Sequence, residues 1–146
     1  MDARLLDGTW PGYQGNPADN QAVYDFVTRF ILQQGCTSTN GDICTYRHNG
    51  LRCAAGCLIP DADYQERFEG EAILNSSGVD LSRTGRYFAD RGFNTRLLYD
   101  LQASHDSAYR LAAAFKRDFL SRARGVAETY GLVPITEEAT KELTQE

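Results

Sequence analysis

The pattern of apolar and polar positions is clearest near the start of the chain, where apolar residues recur with the period of a helix. Asp19 or Asn20 is suited to cap the start of that helix, and Gly35 is suited to end it. The pattern therefore predicts an amphipathic helix over residues 20–34 with one buried face. Its apolar stripe consists of Val23, Phe26, Val27, Phe30 and Ile31.

Two further helices are predicted in the second half of the chain. Asn94 can cap a helix that carries three leucines, and a bend is expected at residues 104–107. Asp106 is expected to cap the helix that follows, which ends near Gly131. His105 is expected to pack at the junction with a ring nitrogen bonded to an oxygen. Residues 69–92 show no readable period, and no regular structure is predicted there.

A β-hairpin is predicted between the first helix and residues 69–92, for which no regular structure is predicted. Asn49-Gly50 is a strong signal for a type I′ turn, because both residues accept positive φ. That turn places His48 opposite Leu51, Arg47 opposite Arg52, Tyr46 opposite Cys53 and Cys44 opposite Ala55. We expect one face of the hairpin to be buried, namely Cys44, Tyr46, His48, Leu51 and Cys53. The other face, with Thr45, Arg47 and Arg52, is expected to meet solvent.

The hairpin is followed by a short segment with turn signals. Residues 54–59 read as a helical turn that Pro60 stops, and Asp61 is placed to cap a short helix over residues 61–68. Together these elements predict a mainly helical α+β fold, a single compact domain with one small two-stranded hairpin, about residues 43–54, packed on amphipathic helices.

The domain organisation follows from the distribution of these signals. Residues 1–18 are rich in Pro and Gly and read as an irregular arm, which Trp10 and Tyr13 should pin to the body. Residues 19–132 form the globular domain, and residues 133–146 form an acidic, mobile tail.

Composition narrows the classes of protein that fit. The chain has 146 residues, 42% of them hydrophobic, and a formal net charge of −5. An acidic surface gives no general attraction to nucleic acid or to anionic membranes. No apolar run is long enough for a secretory signal or a membrane span. We therefore expect a protein with no membrane contact and no export by a signal peptide, in a compartment where cysteines are thiols or metal ligands.

The hub, which we define as residues 44–61, carries a recognisable set of motifs. It reads Cys-x-Tyr-Arg, Asn-Gly, then Cys-Ala-x-Gly-Cys-Leu-Ile-Pro-Asp, and is followed by Tyr64, Glu69-Gly70, a Leu-Gln-x-x-His-Asp motif at 101–106 and Tyr-Gly-Leu at 130–132. Over about residues 22–132 the chain resembles a family of short uncharacterised proteins of tailed bacteriophages and prophages. Cys36, the arm and the tail lie outside the resemblance. It implies a phage origin and a mostly helical domain with a hairpin, and it implies no activity.

The cysteines allow three interpretations. Cys44, His48, Cys53 and Cys57 could together form a Cys₃His zinc site, but only the last two cysteines have the close spacing typical of one. Because three cysteines lie among apolar residues, the preferred interpretation is core thiols and no cofactor. Zinc and a disulfide are the alternatives.

Catalytic candidates are few. Cys53 with His105 and Asp106 could form a nucleophile and base, and Asp61 is one of several carboxylates that could act in acid–base chemistry. Neighbours on a helix point about 100° apart, so His105 and Asp106 are not expected to serve one thiol. No glycine-rich phosphate loop, nucleophile elbow or zinc-hydrolase motif is present.

Exposed arginines are the remaining candidates for binding. Arg110, Arg117 and Arg124 recur at seven-residue steps opposite an apolar face, and Arg47 and Arg52 share the solvent face of the hairpin. The prediction is a non-enzymatic phage-encoded protein that binds another protein in the host cytoplasm or in the virion. A host-directed accessory factor and a minor virion component are both consistent with it, and nucleic acid is not the expected partner. A small enzyme with a Cys/His or carboxylate site is the first alternative, and a zinc-stabilised interaction module is the second.

Overall fold

The helices and strands follow a mainly helical α+β plan, as predicted. The computed structural model describes residues 10–40, 43–48, 50–74, 80–108 and 112–136, with backbone alone at 39, 40, 43, 44, 48, 112 and 113. The helices are α1 (Asn20–Gln34), α2 (Arg83–Asp90), α3 (Thr95–Ser107) and α4 (Ala112–Tyr130). The strands are β1 (Thr39–Asn40), β2 (Ile43–Cys44), β3 (Arg47–His48) and β4 (Leu51–Arg52), and 3₁₀ turns span Gly56–Leu58 and Glu66–Phe68.

Helix α1 begins and ends where the sequence predicts. The side chain of Asp19 accepts a hydrogen bond from Ala22 N at 3.0 Å. Gly35 adopts φ 78°, and its N–H donates to Ile31 O at 2.9 Å. The predicted stripe faces inward, with Val23, Val27 and Ile31 almost fully buried. Local signals were sufficient here because the caps and the stripe agree.

Helices α1, α3 and α4 contact one another and enclose most of the core. Asn94 caps α3 as predicted, accepting from Leu97 N at 3.1 Å. The predicted bend at 104–107 is wrong, because α3 stays helical through Ser107. Asp106 therefore lies inside α3 and caps no helix.

The hairpin is shorter than predicted but keeps its register. Arg47 pairs with Arg52 and His48 with Leu51, and Gly50 takes φ 82° in the turn; Asn49 lies outside the described residues. The pairing of Cys44 with Ala55 is wrong. Strand β2 instead turns back on β1, where Cys44 pairs with Thr39.

The two faces of the hairpin are only partly as predicted. Tyr46 and Cys53 are buried, as expected. Arg52, predicted to face solvent, is 1% exposed. The amide of Gln34 binds both backbone groups of Arg52, accepting from its N–H at 2.8 Å and donating to its carbonyl at 2.8 Å. This contact holds β4 against the end of α1.

The segment after the hairpin contains one confirmed and one wrong prediction. The 3₁₀ turn Gly56–Leu58 precedes Pro60, as expected. Only Glu66–Phe68 is helical within residues 61–68, and its N-cap position is Gln65, so Asp61 does not cap it. Helix α2 is an element that the sequence did not predict.

Both ends of the described chain pack on the body. Trp10 is 6% exposed and Tyr13 is partly buried against the core. Ile135, which the predicted boundary assigns to the tail, is 7% exposed. Residues 1–9 and 137–146 lie outside the description. Across the described ranges, no helix combines the length and the apolar character that a bilayer span needs.

Candidate functional site

One cavity brings two of the sequence candidates together. Cys53 and Asp106 both line a hollow of about 260 Å³ between the hub, the loop at 70–72 and α3. The remaining lining residues are Thr45, Tyr46, Gly70, Glu71, Ala72 and Gln102. Cys53 and Asp106, candidates for a Cys/His or carboxylate site, therefore share one cavity.

The thiol of Cys53 is held in a form that makes a poor nucleophile. Its side chain is fully buried, and its sulfur accepts a hydrogen bond from Gly56 N at 3.2 Å. Burial raises the pKa of Cys53 far above the usual thiol range; the Gly56 hydrogen bond offsets part of the rise, and the Asp106 charge adds to it. Because the thiolate is the reactive form, the Cys53 thiol is protonated and inert near neutral pH.

His105 has no ring nitrogen left for this thiol. Its Nε2 accepts from the backbone N–H of Ser38 at 3.0 Å, so the imidazole is neutral with its proton on Nδ1. Nδ1 donates to Asp106 Oδ1 at 2.8 Å. The predicted bond between a His105 ring nitrogen and an oxygen is confirmed, but His105 lies inside α3 and not at a junction between two helices. The two neighbours do meet each other, although they do not converge on Cys53.

Gln102, which the sequence analysis did not select, joins this group to the hub. Its Oε1 accepts from Ala55 N at 2.9 Å, and its Nε2 donates to Asp106 Oδ1 at 2.7 Å. Gln102, His105 and Asp106 belong to the Leu-Gln-x-x-His-Asp motif, so that motif ties α3 to the hub and to Ser38. Gln102 lies three residues before His105, about one helical turn away, and this spacing was the signal that could have identified Gln102.

Asp61 is the centre of an ion-pair cluster. Its Oδ1 accepts from Arg47 and Arg52, each at 2.6 Å, and its Oδ2 accepts from Trp10 N at 2.7 Å. Burial acts to raise the pKa of Asp61, but the hydrogen bonds from Arg52 and Trp10 and the two arginine charges outweigh it and lower the pKa. Both carboxylate oxygens of Asp61 accept hydrogen bonds from groups of the fold. Asp61 therefore has a structural role, and its carboxylate is not free to act as an acid or base.

The surroundings of Arg52 correct its predicted role. Its side chain is 2% exposed, whereas that of Arg47 is 27% exposed. A buried guanidinium cannot contact a partner, so Arg52 is a core ion-pair residue. The guanidinium of Arg47 also lies 4.4 Å from the centre of the Tyr64 ring, which makes a cation–π contact.

The proposed zinc ligands are not gathered by the described part of the fold. Cys53 and Cys57 are both fully buried, and the Cys57 thiol donates to Ala54 O at 3.1 Å. The side chains of Cys44 and His48 are outside the description, and the backbone of Cys44 belongs to the other strand pair. Among the described residues, no group of three or more His, Cys, Asp or Glu is placed to hold a metal ion. The core-thiol environment is therefore observed for Cys53 and Cys57.

The arginine stripe of the last helix is partly visible. Arg117 and Arg124 are exposed on α4, and Arg110 lies outside the described residues. Arg124 Nε donates to Ile135 O at 3.3 Å, which links the helix to the segment after it. The two arginines are available at the surface as predicted, and whether they bind a partner stays a prediction.

Comparison of the chain with protein-family models, curated proteins and solved structures gives no match. The resemblance to the phage family therefore stays an expectation.

Proposed function

We propose that this chain is a phage-encoded, non-enzymatic protein that acts by binding another protein. It would work in the host cytoplasm as a host-directed factor or in the virion as a minor component. The resemblance of the hub to phage proteins supports the origin, and the presentation of one apolar side chain at the surface supports the mode of action.

The observation that carries the proposal is the environment of Val133. Its side chain is 71% exposed, and among the described residues it is the one large hydrophobic residue that is exposed. A single exposed apolar residue is ordinary at a protein surface. What distinguishes Val133 is that the Gln21 amide binds both of its backbone groups, accepting from its N–H at 2.7 Å and donating to its carbonyl at 3.0 Å.

The residues beyond Val133 are fixed as well. Ile135 is buried, and its N–H donates to the Tyr24 hydroxyl at 3.2 Å, which in turn donates to Ala123 O at 2.8 Å. Arg124 binds the Ile135 carbonyl from the helix side. The segment is therefore held on both sides of Val133.

A fixed apolar side chain in a segment that also contacts the exposed Arg124 can serve as a binding anchor. Arginine is one of the residue types enriched at interface hot spots, which lie in well-packed and desolvated contacts. Because the backbone is already ordered, docking loses little conformational entropy on this side. By contrast, the enzyme alternative would need a free base near Cys53, and His105 has both nitrogens engaged inside the fold.

The test combines a search for the partner with a matched pair of variants. Mass spectrometry of purified virions and affinity capture from host lysate would each name a candidate, which is then titrated as a purified protein. Val133→Asp should weaken binding by at least about tenfold, because a carboxylate replaces the apolar anchor. Thr129→Asp changes another exposed position, on α4, and should bind like the parent chain. The proposal is wrong if both variants bind the partner equally well, or if neither virions nor lysate yield a partner.

A further inference from the structure

Four arginines surround one hollow on the face formed by α2 and the turn at Glu66–Phe68. The hollow has a volume of about 560 Å³, and we call it the arginine basin, lined by Arg67, Arg83, Arg86 and Arg91. All four side chains are exposed. The formal net charge of the chain is −5, so this concentration of positive charge opposes the overall balance.

The geometry of α2 explains how the basin forms. Arg83, Arg86 and Tyr87 lie at spacings of three and four residues, which places them on one face of the helix. Arg91 follows at the end of α2, and its guanidinium lies 3.6 Å from the centre of the Tyr87 ring. Arg67 approaches from the 3₁₀ turn, where its Nε donates to Gln65 Oε1 at 2.6 Å. Two separate segments, α2 with its C-terminal residue Arg91 and the 3₁₀ turn, thus direct guanidinium groups to one hollow.

The arginines are not fully compensated within the described chain. Arg91 binds Asp63 at 3.3 Å, in an exposed ion pair. Arg83 lies close enough to Glu71 to lower the pKa of that carboxyl, together with the larger effect of the hydrogen bond from Thr84 N. Arg86 has no ion pair or side-chain hydrogen bond to another described residue. Grouping like charges in this way carries a repulsive cost that an anionic ligand would remove.

We infer that the arginine basin binds an acidic segment of a protein, in which neighbouring Asp or Glu carboxylates are held by guanidinium groups. Guanidinium presents paired N–H groups that match the two oxygens of a carboxylate. Tyr87 and Leu81 also line the basin and can cover the methylene groups of acidic side chains. This site is distinct from the Val133 anchor and does not depend on it.

The borders of the basin favour a peptide over a nucleic acid. Asp90 lines the hollow, and Asp63 stands beside Arg91. These carboxylates face any anionic ligand, but a nucleic-acid backbone would also continue past the basin over a chain whose formal net charge is −5, which repels it. A short acidic segment can be contained within the basin. The volume of the basin is in the range of pockets that enclose a small ligand.

The experiment uses the full chain and a fluorescein-labelled oligoglutamate peptide, followed by fluorescence anisotropy at low ionic strength. The peptide should bind, an oligoglutamine peptide of equal length should not, and affinity should fall as salt is added. Arg83→Gln with Arg86→Gln should weaken binding by at least about tenfold, since each guanidinium–carboxylate contact is charge-assisted. Arg29→Gln, at an exposed position on α1 and outside the lining of the basin, is the matched control and should bind like the parent chain.

Several outcomes would overturn the inference. One is an absence of oligoglutamate binding at low salt; another is an equal loss in the Arg29→Gln control. Tighter binding of a single-stranded oligonucleotide of equal charge would identify a nucleic-acid site instead, and displacement of the peptide by equimolar inorganic phosphate would identify a phosphate site. Circular dichroism verifies that the double variant is folded, and Arg86→Gln alone provides the same test if it is not.

Discussion

At the scale of single residues, the burial and charged neighbours of a side chain determine its role more than its residue type does. Arg52 and Asp61 are charged residues that the structure uses inside the fold, and Cys53 and Cys57 behave as small apolar residues. Arg52 is tolerated in the core because Asp61 accepts from it and Gly50 O takes a further hydrogen bond at 3.3 Å. A buried charge without such partners would be strongly destabilising.

The first prediction concerns the removal of the charge that pairs with Arg52. Asp61→Asn should lower the free energy of unfolding by about 3 kcal/mol, because it leaves a buried guanidinium without its counter-charge. Urea denaturation followed by circular dichroism measures this. Asp63→Asn is the control, since Asp63 pairs with Arg91 at a site where the side chains are 36% and 44% exposed. Asp63→Asn should lower the free energy of unfolding by less than about 1 kcal/mol. Equal losses in the two variants would contradict the assignment.

The same variant gives a pH dependence whose sign follows from the lowered pKa of Asp61. A carboxyl with a depressed folded-state pKa stabilises the fold fully above its unfolded pKa, and this contribution is lost as the pH falls through the folded value. The stability difference between parent and Asp61→Asn should thus be constant near neutral pH and shrink below about pH 4. A difference that grows in acid would show that Asp61 is not stabilised as its charged form.

At the scale of elements, helices with strong local signals were predicted and the helix without them was not. Helix α2 has eight residues, includes a glycine and carries few apolar positions. It is stabilised from outside: Ser82 accepts from Gly85 N at 2.9 Å, Glu71 accepts from Thr84 N at 2.7 Å, and Phe88 is fully buried. The capping by Glu71 joins residues 13 positions apart, which no local window shows.

The second prediction uses two helical glycines as a matched pair. A Cβ at Gly85 in α2 would lie 2.0 Å from the Ile73 carbonyl oxygen, while a Cβ at Gly125 in α4 would meet nothing within 4 Å. Gly125→Ala should stabilise the protein by about 0.5–1 kcal/mol, because alanine is the better helix former. Gly85→Ala should destabilise it by at least about 1 kcal/mol, because the backbone must shift. Thermal and urea unfolding compare the two, and a gain in both would contradict the close approach of α2 to residue 73.

At the scale of the whole molecule, segments distant in sequence are joined by a small number of hydrogen bonds. Trp10 is the clearest case: its Nε1 donates to Cys57 O at 2.7 Å, and its backbone carbonyl accepts from Asp61 N at 3.0 Å. The ring also lies 5.1 Å from that of Phe30 in α1. The described part of the arm is therefore part of the packed body and lies between α1 and the hub.

The third prediction tests this junction. Trp10→Phe should lower the free energy of unfolding by about 1–3 kcal/mol, because the buried Cys57 carbonyl loses its donor. Tyr13→Phe is the control: its hydroxyl bonds Asn16 O in an exposed setting, and its removal should change stability by less than about 0.5 kcal/mol. Urea denaturation followed by circular dichroism gives both values. In the parent chain the fluorescence of Trp10, the only tryptophan, should change in the same transition; an earlier change would mean that the arm detaches from a folded body.

Part of the candidate site was accessible from the sequence and part was not. The sequence selected Cys53, His105 and Asp106. The structure places Cys53 and Asp106 on one cavity, whereas His105 is bonded to Ser38, 67 residues away. The arginine basin was not predicted, because Arg67 and the arginines of α2 are separated along the chain and the helix that brings them together is held by distant contacts, such as that of Glu71 with Thr84 N.

The sequence by itself determined the features that depend on neighbours within a few residues. These are the bounds of α1, the Asn94 cap and the register of Arg47 with Arg52, since periodicity, capping and turn chemistry act over one or two turns of chain. The tertiary structure alone decided which hairpin face is buried, where Asp61 places its charge, and how α2 is held. Each of these depends on atoms brought together by packing, such as Trp10 N and the Asp61 carboxylate across 51 positions, and no local pattern encodes such a contact.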